Sequence, residues 1–290
     1  MDLAQLEALA AVVDEGSFDG AAAALHLTPS AVSQRIKALE QSAGQVLVRR
    51  TKPSRVTDAG EAYLRLARQI TMLVHEAAGA VGSGPDHVVT VPIALSADAM
   101  ATWALPALAS VADGVSFDLH RDDQSRTADL LRSGTVMAAI TSVVEPVQGC
   151  RSTRLGITRY RPMATPAFVR RWFPDGVTTD ALAVAPMIVF DRHDDLQDRY
   201  LRRRSRRRLD PPRHHVPASA DFAEAVALGL GWGVLPHEQS DGREAEGLLV
   251  ELDPGQHVDV VLHWQQWTLQ TPALETVAAA IRAAAAHHLL

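Results

Sequence analysis

Four side chains on one short segment, Ser30, Ser33, Gln34 and Lys37, have the chemistry and spacing to read base edges. At about 100° per residue they project from one side of a helix, while Val32, Ile36 and Leu39 project from the other. Serine and glutamine can hydrogen-bond base edges in a major groove, and lysine reaches guanine or a phosphate. Arg35 lies off this face, placed for the phosphate backbone. Between positions 20 and 57 the basic residues are Arg35, Lys37, Arg49, Arg50, Lys52 and Arg55, and the single acid is Glu40. This patch sits in a chain of net charge −6, whose two lysines both fall inside it. A local footprint of that kind fits double-stranded DNA, whereas the global charge excludes indiscriminate coating of nucleic acid.

A second set of side chains is polar and falls at predicted strand ends and helix starts: Ser96 and Asp98; Asp122, Asp123 and Gln124; Thr141 and Ser142; Asp191; and Ser219, Asp221 and Phe222. In open α/β sheets ligands bind beyond the carboxyl ends of strands, beside free N–H groups of helix starts. Singly, each residue reads as a cap or a turn. Together they outline a polar cleft with hydroxyls for a carboxylate and aspartates for a cation, a combination that an amino acid satisfies.

Enzymatic chemistry finds little support. The chain has no Walker A loop, no HExxH and no GxSxG elbow, and Cys150 is its one cysteine, read as a structural thiol. No cofactor is expected. The pairs His214-His215 and His287-His288 lack metal-binding spacing, so no metal site is expected either. The run 229–233, Gly-Leu-Gly-Trp-Gly, leads into a strand rather than out of one, and reads as the end of a helix and a turn. Eight arginines over 199–213 read as a charged surface.

The elements that must hold these residues can be traced along the chain. Leu3, Leu6, Leu9, Ala10 and Val13 give an amphipathic helix ending near Gly16, and Phe18, Ala21, Ala22 and Leu25 a second. Thr28 as cap and Pro29 at the first helical position start a third, predicted over 29–41. A strand over 45–48, a tip from Arg49 through Lys52, and a return near Arg55 make a basic wing suited to a narrow minor groove. From Thr57 a long helix carries Tyr63, Leu66, Ile70, Leu73, Ala77 and Ala80 at heptad spacing, a seam for pairing two copies or for packing on the chain itself. Residues 79–85 read as a hinge.

Beyond, strands at 88–95, 115–121 and 135–141 alternate with helices at 98–111 and 127–132, a βαβαβ unit with a mostly parallel sheet. A second such unit is expected, with strands at 160–164, 187–190, 216 and 233–235 and helices near Pro166, Asp194 and Asp221. The fold class is therefore α/β, with a winged helix-turn-helix over 1–58, a dimerisation helix and hinge over 59–86, and a binding domain over 87–290. Subdomain I is placed at about 87–160 and 266–290, and subdomain II at about 161–265. No run approaches the roughly 18 apolar residues of a membrane span, and no signal segment opens the chain, so no membrane partner and a cytoplasmic location are expected.

The run AAAALHLTPSAVSQRIKALEQSAGQVLVRRTKPSRVTDAGEAYL resembles the DNA-binding domain of LysR-type transcriptional regulators. Val48 departs from it, where many members have phenylalanine. The resemblance implies that the helix from Pro29 to Lys37 enters the major groove and that Arg49 and Lys52 serve the wing. The remainder resembles the periplasmic-binding-protein-like effector domain of the same family. The pieces MDLAQLEALAAVVDEGSF, ADAMATWALPAL, FPDGVT, FDRHDD and LHW resemble its LysG/ArgP branch. That implies a sequence-specific regulator responding to lysine, arginine or a related amino acid, controlling an amino-acid exporter, working as a homodimer or homotetramer and meeting RNA polymerase. An architectural DNA-binding protein without a ligand, or a DNA-targeted enzyme, is the alternative.

Overall fold

The computed structural model of the 290-residue chain describes residues 1–82, 89–121, 127–192, 194–269 and 271–290, with the backbone alone over 75–82. Helix α1 (Leu3–Asp14) opens under a capping box, in which Asp2 accepts from the Gln5 amide and Gln5 accepts from the Asp2 amide. Helix α2 (Phe18–Ala24) is capped by Ser17, and α3 (Pro29–Ala43) by Thr28, whose hydroxyl accepts from Ala31 N at 3.2 Å. Leu6, Leu9, Val12, Ala21, Ala22, Val32, Ile36 and Leu39 close one core between them. The small alanines of α2 allow that close crossing.

Strands β1 (Val48–Arg49) and β2 (Arg55–Val56) pair antiparallel. The first wing strand begins later than the predicted 45–48. Glu40 Oε1 accepts from both the Leu47 and Val48 amides, at 2.9 and 3.2 Å, and this holds the approach to the wing on α3 instead of in a ladder.

Helix α4 (Asp58–Gly82) starts beneath Thr57, whose hydroxyl accepts from Gly60 N and donates to Val46 O. Gly60 is required there: a Cβ on it would stand 2.1 Å from Leu47 O. The helix belongs to two cores. Leu64 and Ala67 are buried with the head, and Met72 with the larger domain.

In the larger domain β3 (Val89–Leu95) is followed by α5 (Ala97–Ala99), a π-helical turn (Met100–Ala104) and α6 (Leu105–Ala109). The single helix predicted over 98–111 is thus interrupted. Pro106 has no N–H to give to the carbonyl of Thr102, and a wider turn precedes it. Next come β4 (Val115–Arg121), α7 (Thr127–Arg132) and β5 (Ala138–Thr141). β3 lies between β4 and β5, parallel to both, as the βαβαβ reading expects. β5 is shorter than 135–141 because Thr135 is engaged with Ser133 in the preceding turn.

The second half runs β6 (Cys150–Ala164), α8 (Pro166–Trp172), α9 (Thr179–Val184), β7 (Met187–Val189), α10 (Leu196–Arg204) and β8 (Arg213–His215). It closes with α11 (Ser219–Ala227), β9 (Gly233–Pro236), α12 (His237–Ala245), β10 (Val250–Glu251), β11 (Val258–Trp267) and α13 (Pro272–His288). Here the expectation of a second parallel unit is corrected. β7 and β8 are parallel, but β6 pairs antiparallel with β9, β10 and β11. The sheet order is β10-β6-β11-β5-β3-β4, with β9 also beside β6. The strand expected over 160–164 is only the end of β6, whose first half alternates Arg151, Ser152, Thr153 and Arg154 and so lacks an apolar run. β6 and β11 pass from one half of the domain to the other, and their register shifts between Leu262 and His263.

Candidate DNA-binding face and effector cavity

The third helix buries Val32, Ile36 and Leu39 and turns Ser30, Gln34 and Lys37 to solvent, with Ser33 and Arg35 half-buried beside them. Thr28 and Pro29 are exposed at its start. Arg49, Arg50, Lys52 and Arg55 are exposed on the wing. Two of the wing cations are already engaged within the head. The Arg50 guanidinium lies 4.4 Å from the centre of the Phe18 ring, and Arg49 is 4.0 Å from Asp58. Ser54 N donates to Gly16 O at 2.7 Å, which seats the far side of the wing on the turn between α1 and α2. Helix α3 and the wing are thus fastened together into one basic surface, a form suited to simultaneous base and backbone contact with a duplex.

The larger domain holds a cavity of about 260 Å³ between its halves. Of the predicted residues, Ser96, Asp98, Ser142, Asp191 and Phe222 line it. Ser96 Oγ accepts from Ala99 N and so caps α5, which places Asp98 on the cavity wall. Asp98 accepts from Tyr160 OH and from Ser219 Oγ, each at 2.6 Å, and Ser219 in turn accepts from Gln239 Nε2 at 2.9 Å. Ser219 thus acts through Asp98 rather than capping α11, which has no side-chain cap. Thr141 is buried one residue behind Ser142 and receives Val143 N. Asp221 is exposed and is not on the wall. Asp122, Asp123 and Gln124 lie outside the described residues.

Among the wall residues not picked out from the sequence are Asp194, Arg199, Tyr160 and Gln239. Asp194 accepts from the amides of Phe190 and Leu196, both at 3.0 Å. Burial pushes its carboxyl above the ordinary aspartate value; those two amides oppose the shift, and the charges of Asp98 and Asp191 add to it. A cation entering the cavity would relieve this crowding. Arg199 supplies the opposite sign; it reaches Asp259 O at 3.5 Å and makes no ion pair with a carboxylate among the described residues. The cluster Asp191, Asp194 and Asp195 was the available signal for Asp194, while Arg199 was hidden among its neighbouring arginines.

Those neighbours are mostly neutralised within the domain. Arg202, Arg204, Arg207 and Arg213 pair with Asp195, Asp253, Asp180 and Asp198. The glycine-rich run ends α11 as expected, and its Trp232 is fully buried with its ring 5.5 Å from that of Tyr200. Of the heptad positions, Tyr63, Leu66 and Ile70 are half-buried against the chain's own head core, and Leu73 is 41% exposed. The side chains of Ala77 and Ala80 lie outside the described residues.

A basic winged head joined by a helix to a two-halved sensor defines a ligand-responsive transcription regulator. A family model for bacterial regulatory helix-turn-helix proteins of the lysR family matches residues 3–61, and a LysR substrate binding domain model matches residues 89–286. The chain belongs to the LysR family. The HTH-type transcriptional regulator LysG of Mycobacterium tuberculosis H37Rv is 46% identical to it over 286 residues, covering 98% of this chain and 94% of LysG. The crystal structure of ArgP from Mycobacterium tuberculosis superposes with a TM-score of 0.91 at 45% identity, covering 100% and 99% of the two chains. Full-length LysG of Corynebacterium glutamicum with bound effector arginine gives 0.83 at 35% identity, again over 100% and 99%. These relatives are regulators, and this chain is a transcription regulator rather than an enzyme. Among the described residues no helix is long and apolar enough to cross a membrane.

Proposed function

We propose that this chain binds a basic amino acid in the cavity between its sensor halves and, in response, changes transcription of an amino-acid exporter gene. The observation that carries this reading is the mixed charge of the wall, where the carboxylates of Asp98, Asp191 and the crowded Asp194 stand together with the guanidinium of Arg199, which has no carboxylate partner among the described residues. A side-chain cation suits the first and an α-carboxylate the second. The arginine bound by the Corynebacterium glutamicum relative is a ligand of that class.

In this reading Ser30, Ser33, Gln34 and Lys37 contact bases or nearby phosphates, and Thr28, Pro29, Arg35, Arg49, Arg50 and Lys52 hold the duplex backbone. Two copies pair through α4, with the exposed Leu73 and Val74 available to a partner. In this reading the head spans 1–58, the linking helix and hinge 59–86 and the sensor 87–290, and the protein works in the cytoplasm beside its DNA.

A thermal-shift screen of the twenty amino acids tests the sensor, because a ligand that binds only the folded state raises its apparent stability. Lysine or arginine should raise the melting temperature most. Footprinting across the promoter of a neighbouring exporter gene tests the output. Binding without any amino-acid response would favour a purely architectural protein.

A further inference from the structure

Arg68, on the linking helix α4, hydrogen-bonds the DNA-binding head and the sensor at the same time. Its Nη2 donates to Asp14, the last residue of α1. Its Nη1 donates to Ser133 O and to Thr135 Oγ1, both at 3.1 Å, in the turn between α7 and β5. The side chain is only 17% exposed, so these bonds form in a screened, partly dry crevice. The same turn is pressed onto the helix one turn earlier. Gly134 has φ +71, and a Cβ on it would lie 2.9 Å from Arg65 Cα.

The far end of that turn leads to the cavity. From Thr135 the chain enters β5, whose four residues are all buried, and emerges at Ser142 on the cavity wall. At roughly 3.3 Å per residue this is a strand-like segment of about 20 Å between the Arg68 contact and the ligand. β5 is held on both sides, by β3 and by β11, so it moves as a body rather than bending. A shift of Ser142 when the cavity is filled therefore displaces the Ser133–Thr135 acceptors, and Arg68 must either follow them or release them. Because the same guanidinium holds Asp14, either response changes how α1, and with it the recognition helix, sits on α4.

We infer that Arg68 is the positioning residue through which occupancy of the sensor cavity sets the placement of the DNA-binding head. It touches neither base nor ligand in this role. The inference rests on the proposed amino-acid effector.

The test measures coupling on the full-length chain. The dissociation constant for L-arginine is determined by calorimetry on free protein and on protein bound to a duplex selected from genomic fragments by the wild type. By linkage, the ratio of the two constants equals the factor by which arginine changes duplex affinity. In the wild type this ratio should differ from one by about fivefold or more. Arg68→Ala should leave arginine affinity of the free protein within about twofold of wild type and retain duplex binding, while the ratio falls to within about twofold of one. Arg68→Lys, which keeps the charge but not the fork of donors, should fall between. Thr135→Val and Asp14→Ala cut the two arms separately and decide the matter if Arg68→Ala does not fold; each should lower the ratio. A wild-type ratio of one, or an unchanged ratio in Arg68→Ala or in both arm variants, overturns the inference alone. Failure of arginine and lysine to bind the wild type at all removes the effector reading, and this inference with it.

Discussion

Ser219 donates to Asp98 Oδ1 at 2.6 Å although 121 positions separate them, and the bond joins the start of α11 to the start of the first sensor helix. With Tyr160 OH on the other oxygen, one carboxylate ties both halves of the sensor to a strand that runs between them. Asp98 is consequently both a wall of the cavity and its clasp.

Replacing Asp98 by alanine removes a charged wall and two hydrogen bonds together. Arginine or lysine affinity should fall by at least about tenfold, the scale of a lost charge-assisted bond, as read by calorimetry. The sensor should also be cut faster by protease without ligand. Unchanged affinity would place the effector elsewhere.

The raised carboxyl of Asp194 gives effector binding a pH dependence of known sign. Protons compete with a cation for it, so affinity should decline as pH falls from neutral, beginning above the ordinary value of 3.8. For the unliganded protein the same shift means that the proton is held more tightly folded than unfolded. Its stabilisation is therefore present below the ordinary value and is lost as pH rises through the folded one. Calorimetric titrations with arginine from pH 8 downward, over the range in which the protein stays folded, check this; for one proton displaced the fall is at most about tenfold per pH unit. Asp194→Asn should bind weakly at every pH in that range, with a flatter profile.

On the head, Ser33→Ala and Gln34→Ala should relax sequence preference while keeping affinity for random duplex. Arg49→Ala and Lys52→Ala should weaken all duplexes alike and lower the salt slope by about one each. Gel shifts at several salt concentrations, with operator and scrambled DNA, separate the two patterns; equal effects from all four variants would contradict the division.

At Gly60 a methyl group would meet Leu47 O at 2.1 Å, and the obstacle is backbone rather than a movable side chain. Gly60→Ala should destabilise the head by about 1–3 kcal/mol through overpacking. Urea unfolding followed by tryptophan fluorescence would miss this, because all five tryptophans lie in the sensor. Far-ultraviolet dichroism or backbone amide exchange of α1 to α4 reads it.

The head was legible in the sequence because its determinants are local. The Thr28 cap, the apolar spacing of Val32, Ile36 and Leu39, and the basic wing tip each depend on residues a few positions apart, so periodicity and capping define them before any tertiary contact forms. The parallel β3-β4-β5 unit was readable for a similar reason, since each strand carries its own pattern. What the tertiary structure decided is the cavity. Its charge comes from Asp98 in one half and from Asp194 and Arg199, both at the start of α10, in the other, and the two groups meet only because β6 and β11 pair antiparallel between the halves, a pairing that no local pattern encodes. The same packing turned Asp221 outward, gave Ser219 to Asp98 instead of to its helix, and set four of the eight 199–213 arginines against aspartates of the domain. Local chemistry identifies which residues can act; the register of long strands determines which of them face one another.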